Sequence, residues 1–231
     1  MDEQVQRLVD RVWKRYGETP RDQRLLIGIA GIPGSGKTTL SQIIVARLNA
    51  QAPPSSPPPA TFVPMDGFHL TRAALSAMPD PVAAHARRGA AFTFDAPKFL
   101  ALARALRASS SPAVLAPSFD HAVKDPADDA IAVLPHHRIV VLEGNYLALD
   151  RDVWRDAAAL MDELWFVEVG FETARRRLRE RHVRAGIVKD IEEGDRRALE
   201  NDLVNGEDIL KHRLRVDEVI VSSEDQEWVH E

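Results

Sequence analysis

Apolar residues change their spacing repeatedly along this chain, and each change marks an element. Val5, Leu8, Val9, Val12, Trp13 and Tyr16 recur with helical spacing, which predicts an amphipathic helix over 3–16. Leu25-Leu-Ile-Gly-Ile-Ala30 carries no charge, as suits a strand buried on both faces. A helix is expected at 38–50. Ala52-Pro-Pro-Ser-Ser-Pro-Pro-Pro-Ala60 then removes backbone donors and fixes φ, which predicts an exposed extended loop; a ligand for an SH3-like partner is the other reading. Further strands are expected at 61–65, 138–143, 163–169 and 215–221, with two shorter ones at 113–118 and 130–134 flanking an acidic loop at 120–129. Helices are expected at 71–77, 96–107 and 171–184, and a loop runs through Arg87-Arg-Gly-Ala-Ala-Phe-Thr-Phe-Asp95. Apolar strands alternating with helices predict an α/β fold, a doubly wound and mainly parallel sheet with helices on both faces.

Composition narrows what such a fold can serve. With 231 residues, 45% of them hydrophobic, the chain can bury one full core, so one domain over 1–231 is expected. A net charge of −5 argues against coating a nucleic acid, which needs a basic surface to displace counterions. No apolar run approaches the ~20 residues of a membrane span, and Met-Asp-Glu-Gln opens the chain with chemistry unsuited to a signal peptide. Zero cysteines remove disulfides, thiolate metal sites and a cysteine nucleophile together, and the cytoplasm is the simplest expected compartment. The sequence leaves a homodimer open.

The first strand runs into Gly31-Ile32-Pro33-Gly34-Ser35-Gly36-Lys37-Thr38-Thr39. This is the Gly-x4-Gly-Lys-Thr spacing of a phosphate-binding loop. The glycines let consecutive N–H groups turn around an anion where a Cβ would obstruct. Lys37 can reach the β- and γ-phosphates, Thr38 can place its hydroxyl on Mg²⁺, and the helix that follows points its positive end at the same phosphates. A Gly-rich turn matched by chance is the bland alternative; strand before and helix after weigh against it. A nucleoside triphosphate is therefore the expected ligand.

In such sheets ligands gather at the carboxyl ends of the strands, where Asp66 and Glu143 both fall. Asp66 can accept a proton from a substrate hydroxyl in line with the γ-phosphate, or it caps a turn. Glu143 can hold Mg²⁺ through water, or it closes the strand. The 171–184 helix carries Arg175, Arg176, Arg177, Arg179, Arg181 and Arg184, of which Arg177, Arg181 and Arg184 share a face. Stacked guanidiniums suit a phosphoryl group in flight, although a solvated basic face would show the same pattern. Gly186 and a polar segment follow, so a lid is expected over about 177–205.

Taken together, the phosphate loop, Met65-Asp-Gly-Phe-His69, Gly89-Ala-Ala-Phe-Thr-Phe-Asp95, Ala116-Pro-Ser-Phe-Asp-His121, Leu142-Glu-Gly-Asn-Tyr146 and Arg181-His-Val resemble the uridine kinase, phosphoribulokinase and bacterial pantothenate kinase group. The resemblance covers about 25–221. It implies transfer of the γ-phosphate of ATP, with Mg²⁺, to a hydroxyl of a small metabolite. It makes Asp66 the general base, Arg181 the lid arginine at the transferring phosphate, and His121 a substrate-side histidine. Phe119 departs from the tyrosine that uridine kinases carry there, and pantothenate kinases have longer lids and C-terminal regions. Candidate acceptor contacts are His69, Arg87, Arg88, Phe119, His121, Tyr146 and Arg177. Asn201, Asp202 and Asn205 resemble an Asn-Asp-x-x-Asn signature of uncharacterised members and are expected near the site, as contacts to nucleotide or substrate; a capped helix break explains them equally well.

The expected function is thus ATP-dependent phosphorylation of a nucleoside-, pantothenate- or sugar-like acceptor. The alternatives are a nucleotide-dependent switch, which should carry a guanine-reading Asn-Lys-x-Asp motif that the sequence lacks, and a kinase-like fold kept only for binding.

Overall fold

A computed structural model describes residues 2–110, 112–120 and 122–222. In chain order the elements are α1 (Asp2–Glu18), β1 (Leu25–Gly31), α2 (Lys37–Gln51), β2 (Ala60–Pro64), α3 (Arg72–Ser76), α4 (Pro81–Ala86), α5 (Ala96–Ala108), β3 (Val114–Asp120), β4 (Asp125–Val133), β5 (Ile139–Gly144), α6 (Trp154–Ala158), β6 (Glu163–Glu168), α7 (Phe171–Arg184), α8 (Ile191–Arg197), α9 (Leu203–Lys211) and β7 (Glu218–Val221). Five strands form one parallel sheet in the order β2-β5-β1-β6-β7, and β3 and β4 form a separate antiparallel pair.

The uncharged run in β1 has a direct cause. Alternate residues point to opposite faces, and both faces are covered. Leu25, Ile27 and Ile29 pack with Val5, Leu8, Val9 and Val12 of α1 and with Leu40, Ile44 and Leu48 of α2. Leu26 and Ala30 pack on the other side with Phe99 and Leu106 of α5, Trp154 of α6 and Leu178 of α7. β5 lies between β1 and β2, with Glu143 level with Ile29 on one side and Pro64 on the other. Whatever follows β1 and β2 must therefore flank Glu143.

Most of the expected elements are present, and the differences have physical reasons. Half of the acidic stretch expected as a loop at 120–129 belongs to β4: Asp125 to Ala127 pair with β3, while Asp128 and Asp129 fall where the register shifts and stay exposed to water, Asp129 at φ +54°. α4 falls where no helix was expected. It is too short to show a period, and its signals are local: Asp80 accepts a hydrogen bond from Ala83 N, and Pro81 occupies the first turn. The polar segment after Gly186 is α8, capped by Asp190 through Glu193 N. A π-helical turn, Ala198–Asp202, joins α8 to α9. β7 begins three residues later than expected, since Asp217 turns its carboxylate onto Leu164 N before the strand starts. In the Pro-rich stretch, Pro53 to Pro58 are exposed, and Pro59 is already buried, accepting from Ile139 N at the start of β2.

Candidate active site

β1 ends at Gly31 and the loop turns through two left-handed glycines, Gly34 (φ +79°) and Gly36 (φ +87°). A Cβ on Gly34 would stand 2.8 Å from the Ala174 carbonyl oxygen of α7, so the loop is packed too closely for a side chain there. Gly36 caps α2 without a side-chain acceptor, which leaves the first amides of that helix to an anion. Ser35 Oγ is buried and has no hydrogen-bond partner among the described residues. A cradle with free donors and an unfilled hydroxyl fits the phosphate chain of a nucleotide.

Lys37 and Thr38, the first residues of α2, meet Glu143 at the end of β5. Lys37 Nζ stands 3.8 Å from Glu143 Oε1, and the Thr38 side chain hydrogen-bonds the same carboxylate. Both charged groups are buried. Burial pushes the Glu143 carboxyl up to about 7, and Lys37 pulls against it. Burial likewise holds the Lys37 ammonium below its ordinary range, opposed first by Glu143 and then by Asp66. Arg181 and Asp202 also act on Lys37 electrostatically, so five charged side chains from β5, α2, the turn after β2, α7 and the π-helical turn share one site.

Asp66 is exposed in a 3₁₀ turn, Met65–Phe68, directly after β2. Gly67 allows the turn to lie against β3: a Cβ there would fall 2.2 Å from the Pro117 carbonyl oxygen. Beyond the turn, His69 Nδ1 pairs with the Asp66 carbonyl oxygen at 2.9 Å. Its ring stacks 4.0 Å from Phe94 and 5.0 Å from Phe119, centroid to centroid. Arg88 lies over the Phe119 ring at 5.4 Å. Of the residues expected at the acceptor, His69, Phe119 and Arg88 are thus brought together. His121 lies outside the described residues.

The remaining candidates divide. Tyr146 is buried and donates its hydroxyl to the Gly89 carbonyl oxygen at 2.6 Å; burial raises its pKa further. Arg177 reaches the nucleotide loop, donating to the Gly34 carbonyl oxygen (3.3 Å) and to Ser222 Oγ (3.0 Å). Arg175 is paired with Asp195 of α8. Of the three arginines expected on one face, Arg181 is the one whose charge bears on Lys37 and Glu143. His182, the next residue, is buried with Nε2 2.7 Å from Asp202 Oδ2. Sequence reasoning left Phe94 unassigned, although the Phe-Thr-Phe run held it, and gave Asn201 and Asn205 no more than a place near the site. Both are buried and accept hydrogen bonds from Arg87. No group of three His, Cys, Asp or Glu poised for a metal occurs among the described residues, and no helix among them is long and apolar enough to cross a membrane.

A parallel β2-β5-β1-β6-β7 sheet with a phosphate loop after its central strand, a buried lysine and carboxylate beyond it, and an arginine helix alongside defines a P-loop kinase. Residues 26–192 match the Phosphoribulokinase / Uridine kinase family, and the chain belongs to that family: it is a small-molecule kinase that uses ATP. It is 54% identical over 159 residues, covering 68% of this chain and 92% of the relative, to "ATP-dependent kinase-like protein notR'" of Aspergillus versicolor. It is 39% identical over 212 residues, covering 91% and 89%, to "Putative uridine kinase C227.14" of Schizosaccharomyces pombe. The crystal structure of a "putative fructose transport system kinase" from Silicibacter sp. TM1040 superposes with a TM-score of 0.81 at 36% identity, covering 93% of this chain and 98% of that one.

Proposed function

We propose that this kinase transfers the γ-phosphate of ATP to a hydroxyl of a small nucleoside-, pantothenate- or sugar-like metabolite, with Asp66 as general base. The observation that carries the reading is the meeting of Lys37, Glu143, Asp66 and Arg181 at the carboxyl ends of β1, β5 and β2. The loop amides and Lys37 hold the phosphates. The acceptor oxygen gives its proton to Asp66 and forms the new bond to the γ-phosphorus as the bond to the β–γ bridging oxygen breaks, and ADP leaves. Arg181 offsets the charge on the moving group.

The exposed Thr38 hydroxyl on the buried Glu143 carboxylate, an all-oxygen pair beside the phosphate loop, would hold a magnesium ion bound with the nucleotide. When bound, that ion supplies charge neutralisation at the β- and γ-oxygens. Arg177, bonded to the loop, belongs to the nucleotide side, and 177–205 act as a lid that excludes water. The rings of His69, Phe94 and Phe119 form the acceptor wall and favour the flat or C–H faces of a sugar or base. The names of the Schizosaccharomyces and Silicibacter relatives point to the same acceptor range. A cytoplasmic setting, where ATP is abundant, goes with this activity.

A coupled ATP-consumption screen over nucleosides, pantothenate-like compounds and sugars identifies the acceptor. Asp66→Asn is then expected to lower turnover on the order of 10²–10⁴-fold while ATP affinity stays within about twofold. Unchanged turnover of the acceptor by Asp66→Asn would refute the assignment of the base.

A further inference from the structure

The tripeptide Arg87-Arg88-Gly89 belongs to no helix or strand, yet hydrogen bonds from separate parts of the fold converge on it. Arg87 Nε donates to Asn201 Oδ1 (3.0 Å) and its Nη2 to Asn205 Oδ1 (2.7 Å). Asn201 Nδ2 donates back to the Arg88 carbonyl oxygen at 3.0 Å, and Tyr146 Oη to the Gly89 carbonyl oxygen at 2.6 Å. Gly89 holds φ at +106°, a conformation that a side chain would resist. Arg88 faces the other way: its Nη2 donates to the Leu70 carbonyl oxygen and to Asp125 Oδ1, both at 3.1 Å, and its Nη1 to the Lys124 carbonyl oxygen at 2.8 Å.

These bonds join two halves of the reaction. Asn201 lies in the π-helical turn and Asn205 in the first part of α9; Asp202, between them, is bonded to His182, the neighbour of Arg181. Leu70 follows His69, whose ring nitrogen pairs with the Asp66 carbonyl oxygen. A π turn inside a helix commonly marks a place where side chains are re-aimed for function, and here it turns Asn201 inward while Asp202 meets α7. The acceptors of Arg87 are neutral amides, so the fork itself adds no negative charge.

We propose that Arg87 is a positioning residue: bound by Asn201 and Asn205 and followed directly by Arg88, which holds the Leu70 carbonyl oxygen, it ties the helical arm that carries Arg181 to the segment that carries Asp66, and so sets the gap across which the phosphoryl group moves. The inference rests on the roles given to Asp66 and Arg181 above, and its test has one arm that needs no acceptor. By hydrogen–deuterium exchange, Arg87→Ala is expected to raise exchange together in 65–72 and 198–211 and to leave the five-stranded sheet unchanged. Exchange that rises only around 87–89 overturns the lock.

With the acceptor found by the screen, Arg87→Ala is expected to lower kcat about 10- to 100-fold with the KM for ATP within about twofold, as misplacement without loss of a reacting group predicts. Arg87→Lys, which can keep one of the two bonds, is expected to recover part of the loss. A variant that melts earlier but turns over normally per folded molecule makes Arg87 purely structural and overturns the proposal. Should Arg87→Ala fail to fold, Asn205→Ala, which deletes a single bond, is read by the same criteria. If the wild-type protein phosphorylates nothing in the screen, the functional reading fails, and the exchange measurement still decides the lock.

Discussion

The two sides of the site are built by different means. On the nucleotide side the work is done mainly by backbone, with glycines in left-handed turns and free amides at the start of α2, joined by buried Lys37 in the first turn of α2 and buried Glu143 near the end of β5. On the side we propose for the acceptor it is done by side chains from scattered places: His69 after β2, Phe94 before α5, Phe119 in β3 and Arg88 between α4 and α5. Backbone cradles suit a ligand common to many enzymes, since a phosphate chain always presents the same oxygens. Side-chain walls suit the partner that differs from one enzyme to the next.

That division can be broken at either end. Lys37→Ala should do the greatest damage, lowering turnover on the order of 10³-fold and weakening ATP binding as well, as read by steady-state kinetics and nucleotide titration. If ATP binding survives intact, the backbone alone holds the phosphates and the contrast is sharper still. Gly67→Ala attacks the acceptor side through packing. Its Cβ would meet the Pro117 backbone at 2.2 Å, so a loss of about 1–3 kcal/mol in thermal stability is expected, with poorer acceptor turnover and ATP affinity little changed. A matching fall in ATP affinity would show that the two sides are not separable.

Acidity should act on the nucleotide side. The metal role proposed for Glu143 needs its carboxylate form, and burial pushes that group up to about 7, so protonation should compete with the metal as pH falls through that value. Magnesium-dependent ATP affinity is expected to weaken about tenfold per pH unit below 7 and to level off above it. Calorimetric titration between pH 6 and 8, with and without magnesium, measures this, and Glu143→Gln should remove the slope. The smallest effect is expected from Phe119→Tyr, which restores a hydroxyl at the acceptor wall: a change under about tenfold in acceptor KM, with the KM for ATP unmoved.

How much of this was legible follows from distance along the chain. The phosphate loop, the strand before it and the helix after it were readable because every group involved lies within one short run. Asp66 and Glu143 could be singled out by a rule of topology, since both end strands of a parallel sheet. Arg181 was chosen from six arginines by resemblance; the structure separates them by partner, with Arg175 on Asp195 and Arg177 on Gly34. Tyr146 and Arg87 show the limit. Each read as a possible acceptor contact, and each is engaged within the protein, with Gly89 and with the two asparagines.

The sequence by itself determined the sheet, the phosphate loop and the two strand-end carboxylates, because hydrophobic alternation, glycine conformation and helix-start chemistry are properties of near neighbours. Only the tertiary structure decided which arginine's charge bears on Lys37, which aromatic rings gather around His69, and that residues 87–89 are held by 146, 201 and 205. Those contacts join segments separated by many residues. Their partners are chosen by packing of the whole fold, which no local spacing records.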